Sequence, residues 1–261
     1  MRRISILTIC IIFLVFGVAS AKEKGHSAKG HTAKGHSSGT HWEYSGKAGP
    51  ENWGKLDKAF AACSEGKNQS PVNITGFIKA DLKNIEFNYN SKPSEILNNG
   101  HTIQVNFESG STIMIDNIIF ELKQFHFHAP SENVVDGKSY PLEAHLVHAD
   151  KQGNLAVIGI MFTEGAENEL INALWKQIPK KAGDKVVITE KLSVNNMLPV
   201  ARDYFRFNGS LTTPPCTEGV RWLVLKNAMT ISKEQVKVFT EVMQHNNNRP
   251  VQPINARTIL K

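Results

Sequence analysis

Cysteine is scarce in this chain: three in 261 residues, at Cys10, Cys63 and Cys216. That is too few for a four-thiolate structural metal site. No long apolar run follows residue 18, so nothing beyond it reads as a membrane-spanning helix, which needs about 20 apolar residues. An excess of one charge is also lacking in the body. The formal net charge is +6, but Arg2 and Arg3 carry two of these and residues 22–40 carry three, leaving +1 for residues 41–261. A nearly neutral body argues against nucleic acid as a partner, because a basic patch would have to lie on the folded part. With 41% hydrophobic and 21% charged residues, the chain is neither disordered nor fibrous. Its length suits a core that needs no staples.

What is present begins with a leader. Two arginines precede an apolar run from Ile4 to Val18, and Ala19-Ser20-Ala21 follows as a small-x-small cleavage site. Residues 1–21 therefore read as a secretory signal peptide, cut after Ala21, which implies a periplasmic or secreted protein with no stable membrane anchor after cleavage. Cys63 and Cys216 remain in the mature chain, and an even pair in an exported protein suggests a disulfide. Residues 22–40 carry the repeat KGHSA-KGHTA-KGHSS, with His26, His31 and His36 five apart. Such a segment has no apolar periodicity and reads as a disordered, solvated spacer. A metal-collecting tail is the sharper alternative.

From Trp42 to Lys261 no linker or second composition regime interrupts the chain. Short alternating segments dominate: 85–89, 102–107, 112–115, 118–128, 142–148, 155–162, 204–207 and 220–225. Helical spacing occurs at 167–177 and 232–243, the latter with Ser232 and Gln235 placed as in a capping box. The expectation is a mainly β (α+β) single domain over 41–261, a large and mostly antiparallel twisted sheet with a few peripheral helices.

The informative stretch is Gln124-Phe125-His126-Phe127-His128. On a strand, residues two apart share a face, so His126 and His128 point together and Phe125 and Phe127 point away. If the segment Leu142–His148 pairs beside it, His145 completes a set of three nitrogens. Three neutral imidazoles with an open position are a catalytic zinc arrangement. His148 has the wrong parity to join His145 and reads as structural. An HxH pair alone is a weak signal, because short motifs have many false positives.

The wider pattern is more specific. The blocks His41-Trp42, Gly49-Pro50-Glu51-Asn52-Trp53, Asn68-Gln69-Ser70-Pro71 and Asn98-Asn99-Gly100-His101 occur in order. Gln124–His128 with Ala129-Pro130-Ser131-Glu132-Asn133 follows, then Glu143–His148. Gly209-Ser210-Leu211-Thr212-Thr213-Pro214-Pro215-Cys216 and Asn248-Arg249-Pro250-Val251-Gln252-Pro253 complete the set. Over essentially all of 42–261 the chain resembles a bacterial α-class carbonic anhydrase. The resemblance implies a conical cleft in a twisted sheet. It also implies zinc-dependent, reversible hydration of carbon dioxide to bicarbonate and a proton, with side esterase activity.

The resemblance also implies roles. His126, His128 and His145 match the zinc ligands, with Gln124 and Glu143 as acceptors for the ligands' other ring nitrogens. Thr212, backed by Glu132, matches the group that orients the attacking hydroxide, and His101 the proton shuttle at the cleft mouth. Thr213 is a polar contact for bicarbonate. Val147, Val157, Leu211, Val220 and Trp222 match the apolar wall for carbon dioxide. Cys63 and Cys216 match a variant of the family in which they bridge and stiffen the Thr212 loop. Sulfonamides and simple anions are the implied inhibitors, and a homodimer is left open. Ala129 and Asn133 replace bulkier or basic residues, which is expected to alter the cleft rim. Two other readings compete: a non-catalytic binding module on the same fold, and a zinc-storage protein. Members of the first kind have lost a zinc histidine, whereas all three are kept here. The second leaves Thr212 and the apolar residues unexplained.

Overall fold

The structure is a computed structural model and describes residues 40–261. The leader at 1–21 and the histidine repeat up to residue 39 lie outside the described residues. Eight strands form the spine of one eleven-stranded sheet. Their spatial order is Lys185–Val187, Pro93–Asn98, Ile103–Phe107, Ile118–His128, Leu142–Ala149, Leu155–Glu164, Glu218–Leu225 and Tyr204–Ser210. Neighbours on this path are antiparallel except Leu155–Glu164 with Glu218–Leu225, which run parallel. Thr112–Ile115 hairpins onto the start of Ile118–His128 and carries Glu86–Asn88 on its other side. Met229–Ile231 runs parallel to the end of Leu155–Glu164.

The strands Thr112–Ile115 and Ile118–His128 have the bounds their alternation indicates. Pro93–Asn98 was not legible as a strand. Its pairing with Ile103–Phe107 slips between Pro93 and Glu95, and that irregularity breaks the period of two.

Each face of the sheet carries its own apolar layer. Val105, Phe125, Leu146, Ile158 and Leu223 are register partners across five strands and belong to the larger core. Val157, Met161, Trp222, Val224 and Phe207 belong to the second core on the opposite face. The strand Leu155–Glu164 is buried from Ala156 to Phe162, as a strand covered on both sides must be. Full burial of one such Phe or Leu contributes about 1.5–3 kcal/mol, so these two layers hold the strands in register without help from the site.

The helix Lys233–Met243 closes the larger core. Its capping box forms, with Ser232 accepting from Gln235 N and the Gln235 side chain accepting from Ser232 N. Phe239 on its inner face meets Phe127 and Trp175. Gln244 ends the helix in the left-handed region at φ 60°, which turns the chain back toward the metal-binding strands. Among the described residues no helix is long and apolar enough to cross a membrane.

Candidate metal centre

His126 and His145 lie directly opposite each other on adjacent antiparallel strands. Register then extends the row: Gln104, His126, His145, Gly159 and Val224 fall side by side across five strands. The next row on the same face is Asn106, Gln124, Val147, Val157, Trp222 and Phe207. Metal-binding groups and apolar wall are thus two adjacent rows of one sheet. Gly159 leaves little room here: a Cβ at that position would sit 3.1 Å from the Val224 side chain and 3.3 Å from Glu143 Oε1, so these neighbours would have to shift.

A bulge decides which face receives the HxH pair. Leu122 pairs with His148, but Gln124 pairs with Val147, so Lys123 is extra. Before it, Phe120 and Leu122 face the larger core; after it, Phe125 and Phe127 do. Had all these residues continued in strict alternation with no bulge, Gln124 and His126 would share the face of Leu122 and point into that core.

Each imidazole has one nitrogen engaged and one turned inward. His126 Nδ1 lies 2.8 Å from Gln124 Oε1, and His128 Nδ1 lies 2.7 Å from the Asn247 carbonyl. His145 Nε2 stands 2.9 Å from Glu143 Oε1, in contact but without the alignment of a hydrogen bond. An acceptor at one nitrogen places the proton there and leaves the other nitrogen free as a lone-pair donor. The free atoms are His126 Nε2, His128 Nε2 and His145 Nδ1. One ligand nitrogen from each of the three rings lies within 4.8 Å of the others, and this is the metal-ready histidine cluster among the described residues. Burial pushes all three pKa values down; for His126 the nearby His128 and His145 add to this, and for His145 the nearby His128 does. These shifts favour the neutral form, the form a metal ligand takes.

Glu132 closes the space above them. It is buried, and its Oε2 has no hydrogen-bond partner while standing 3.5 Å from His128 Nε2 and 3.8 Å from His145 Nδ1. His128 Nε2 is likewise buried and unpartnered. Two orphaned polar atoms facing one pocket of three neutral nitrogens fit a divalent cation, and a nitrogen-only donor set fits zinc. Burial raises the Glu132 pKa well above the usual carboxylate value. The Arg249 amide, which donates to Oε1 at 2.8 Å, and the nearby Thr212 side chain pull it down.

Glu143 is fully buried, and burial raises its pKa to about 7. It accepts from the amides of Glu132 and Asn133, both at 2.8 Å, and from Asn133 Nδ2 at 2.8 Å. Asn133 Oδ1 in turn accepts from Val72 N at 3.0 Å. Ala129 and Asn133 are therefore not at the cleft rim, as the sequence reading expected. Both are buried, Asn133 completely, in the support beneath the ligands. His148 is structural: it faces the larger core, meets Tyr89 Oη at 2.8 Å, and burial lowers its pKa to about 3.

The remaining residues gather as follows. Val147, Val157, Leu211, Val220 and Trp222 share the second apolar cluster, with Val147 and Leu211 half-buried and the other three buried behind them. The Trp222 ring lies 4.8 Å from that of His145. Thr212 is buried, while Thr213 is half-buried and accepts from Cys216 N. Cys63 and Cys216 form a disulfide. Arg249 anchors the same corner: its guanidinium donates to Gln69 Oε1, the Ser70 carbonyl and the Cys63 carbonyl at 2.8–2.9 Å. Ser70 and Ser210 exchange side chain–backbone hydrogen bonds, which fixes the start of the Thr212 loop. His101 follows a turn whose Asn99 Oδ1 accepts from His101 N and Thr102 N. Its ring is not free in solvent but half-buried, stacked on Trp42 with centroids 3.7 Å apart. Burial, then the charges of His41 and His245, lower its pKa, against Glu43.

The model of the family described as eukaryotic-type carbonic anhydrase matches residues 48–261. The chain belongs to the α-carbonic anhydrase family. It is 49% identical over 220 residues to the carbonic anhydrase of Pectobacterium atrosepticum, covering 84% of this chain and 90% of that one. The solved α-carbonic anhydrase of Thermovibrio ammonificans, in complex with the inhibitor sulfanilamide, superposes with a TM-score of 0.84 at 48% identity, over 85% of this chain and 100% of that one. The α-carbonic anhydrase of Photobacterium profundum gives 0.81 at 49% identity, over 85% and 100%. The chain is a zinc enzyme that hydrates carbon dioxide.

Asn247 and Arg249 carry support to which the sequence assigned no role, and Asn133 has a supporting place instead of one at the cleft rim. Asn247 lies in the run Asn246-Asn247-Asn248, directly after an amphipathic helix. A run of three asparagines between that helix and Arg249-Pro250 is the signal that could have found it.

Proposed function

We propose that the residues around the centre divide the hydration of carbon dioxide as follows. Zinc, when bound, makes water a nucleophile at neutral pH by lowering its pKa from 15.7 to about 7. His126, His128 and His145 hold the metal, and Gln124, Asn247 and Glu143 keep each ring in the tautomer that does so. The Thr212 hydroxyl accepts a hydrogen bond from the attacking oxygen and donates one to Glu132. That aims a lone pair at the carbon. It also disfavours anions with no proton to offer, because the Thr212 oxygen is then left facing them as an acceptor. Val147 and Leu211, backed by Val157, Val220 and Trp222, form the apolar wall that carbon dioxide requires, and Thr213 is a polar contact for bicarbonate. His101 takes the proton onward through water. A rate near 10⁶ s⁻¹, which zinc hydration can support, is on the order of the fastest known and needs such a relay.

The observation that carries this reading is the unpartnered Glu132 Oε2, 3.5 Å from the free nitrogen of His128 and held from behind by the Arg249 amide. Sulfanilamide occupies the Thermovibrio enzyme, and a sulfonamide is proposed as inhibitor here too. The leader, residues 1–21, is proposed to deliver the enzyme to the periplasm or outside the cell, with residues 22–40 as a spacer. The test is stopped-flow hydration and zinc analysis of the mature protein, with and without a sulfonamide. One zinc per chain, fast hydration and stoichiometric inhibition are expected. A zinc-free or inactive protein, or a His145→Ala variant that keeps full zinc and rate, would overturn the reading.

A further inference from the structure

Asn247 is completely buried, and every hydrogen-bonding group of its side chain is engaged. Its Oδ1 accepts from Ala129 N at 2.9 Å. Its Nδ2 donates to the Phe127 carbonyl at 2.8 Å and to the His101 carbonyl at 3.0 Å. Its own carbonyl receives His128 Nδ1. One amide therefore brackets the metal-binding strand on both sides of His128, at Phe127 and Ala129, and reaches a third element at His101. The turn bearing His101 is held to itself through Asn98 and Asn99, and Asn98 also ties it to residues 179–184, its amide donating to the Asp184 carbonyl and its carbonyl accepting from Gly183 N. Its other tie to the strand is at the next residue, where Thr102 Oγ1 donates to the Phe127 carbonyl and accepts from Phe127 N.

We propose that the Asn247 side-chain amide is a positioning residue for proton export: it fixes the His101 backbone against the strand that carries His128, and so sets the span the proton must cross. The inference rests on the relay role of His101 and goes beyond it. Proton transfer through water is steeply sensitive to geometry, so a loosened carbonyl at 101 lengthens or disorders the path. Capture of carbon dioxide does not use that path. The Asn247 carbonyl belongs to the backbone and survives substitution, so the tautomer of His128 is retained.

The test compares Asn247→Ser with the unaltered mature enzyme, and with His101→Ala alone and combined. Asn247→Asp is the second variant should the serine protein fail to fold, since it too lacks the amide donor. In dilute, non-imidazole buffer, kcat should fall roughly five- to tenfold, less than in His101→Ala because Thr102 and the Trp42 stack remain. The ratio kcat/KM should stay within about twofold, and added imidazole should restore kcat. In the His101→Ala background Asn247→Ser should lower kcat no further. A readout independent of turnover is the imidazole NMR titration of His101 in the zinc-loaded protein, where the variant should show a broadened, shifted His101 resonance. If His101→Ala leaves kcat unchanged in dilute buffer, the relay reading itself fails. If His101→Ala lowers kcat but Asn247→Ser does not, or lowers kcat and kcat/KM equally in both backgrounds, the positioning role is overturned.

Discussion

Leu122 lies opposite His148, and the next pair along the same two strands is Gln124 with Val147. The unpaired Lys123 between them rotates the rest of the strand by one face. It keeps Phe125 and Phe127 on the larger core, as Phe120 and Leu122 are, while Gln124, His126 and His128 take the opposite face.

His148 provides a pH test on the core side of that bulge. Burial holds its folded pKa at about 3, whereas the unfolded value is about 6.5. Between these values the unfolded chain binds a proton that the folded one does not. Stability is therefore present above 6.5 and lost as pH falls toward 3, by about 1.4 kcal/mol per unit at most. Metal-free His148→Gln, which keeps a partner for Tyr89 but does not titrate, should show a shallower acid loss in urea melts than metal-free parent. Parallel stability curves over pH 6.5 to 3 would contradict the assignment.

Thr212→Ala should retain zinc and lose about 10²-fold in hydration rate, the usual scale for deleting one orienting hydrogen bond at a reacting oxygen. It should also bind simple anions more tightly. Glu132→Ala should behave alike, and the double variant should lose little more, because the two act as one unit. Anion affinities equal to those of the parent would remove Thr212 as the gate.

The disulfide joins residues 153 apart. Chain entropy sets an upper limit of ~5 kcal/mol for such a loop. Replacing both Cys63 and Cys216 by Ser should lower the free energy of unfolding by roughly 2–5 kcal/mol in denaturant titration. Arg249 still ties residues 63, 69 and 70 together, so zinc should be retained. An unchanged unfolding midpoint would show that this cross-link contributes nothing.

The histidine repeat is tested by deletion of residues 22–40. A spacer leaves hydration and the stability of the folded part unaltered, and this is the expected result. A metal-collecting segment would instead slow zinc uptake by the metal-free enzyme when it is removed and zinc is scarce. Reconstitution rates with and without the segment distinguish the two.

The sequence by itself determined whatever repeats with a local period. Alternation marked most of the strands, put His126 and His128 on one side with Phe125 and Phe127 on the other, and separated His145 from His148. Ser232 and Gln235 marked the helix start, and Cys63 and Cys216 marked the bridge. Only the tertiary structure decided which strands are neighbours, and hence that His145 faces His126. It also decided where the extra residue at Lys123 turns the strand, that Asn133 is buried under Glu143, and that His101 stacks on Trp42. Asn133 bonds to a residue 61 positions away and Arg249 to one 186 away. Such side chain–backbone bonds have no period along the chain. They form because buried amides and carbonyls must be paired, and only the folded arrangement determines which polar side chain is within reach.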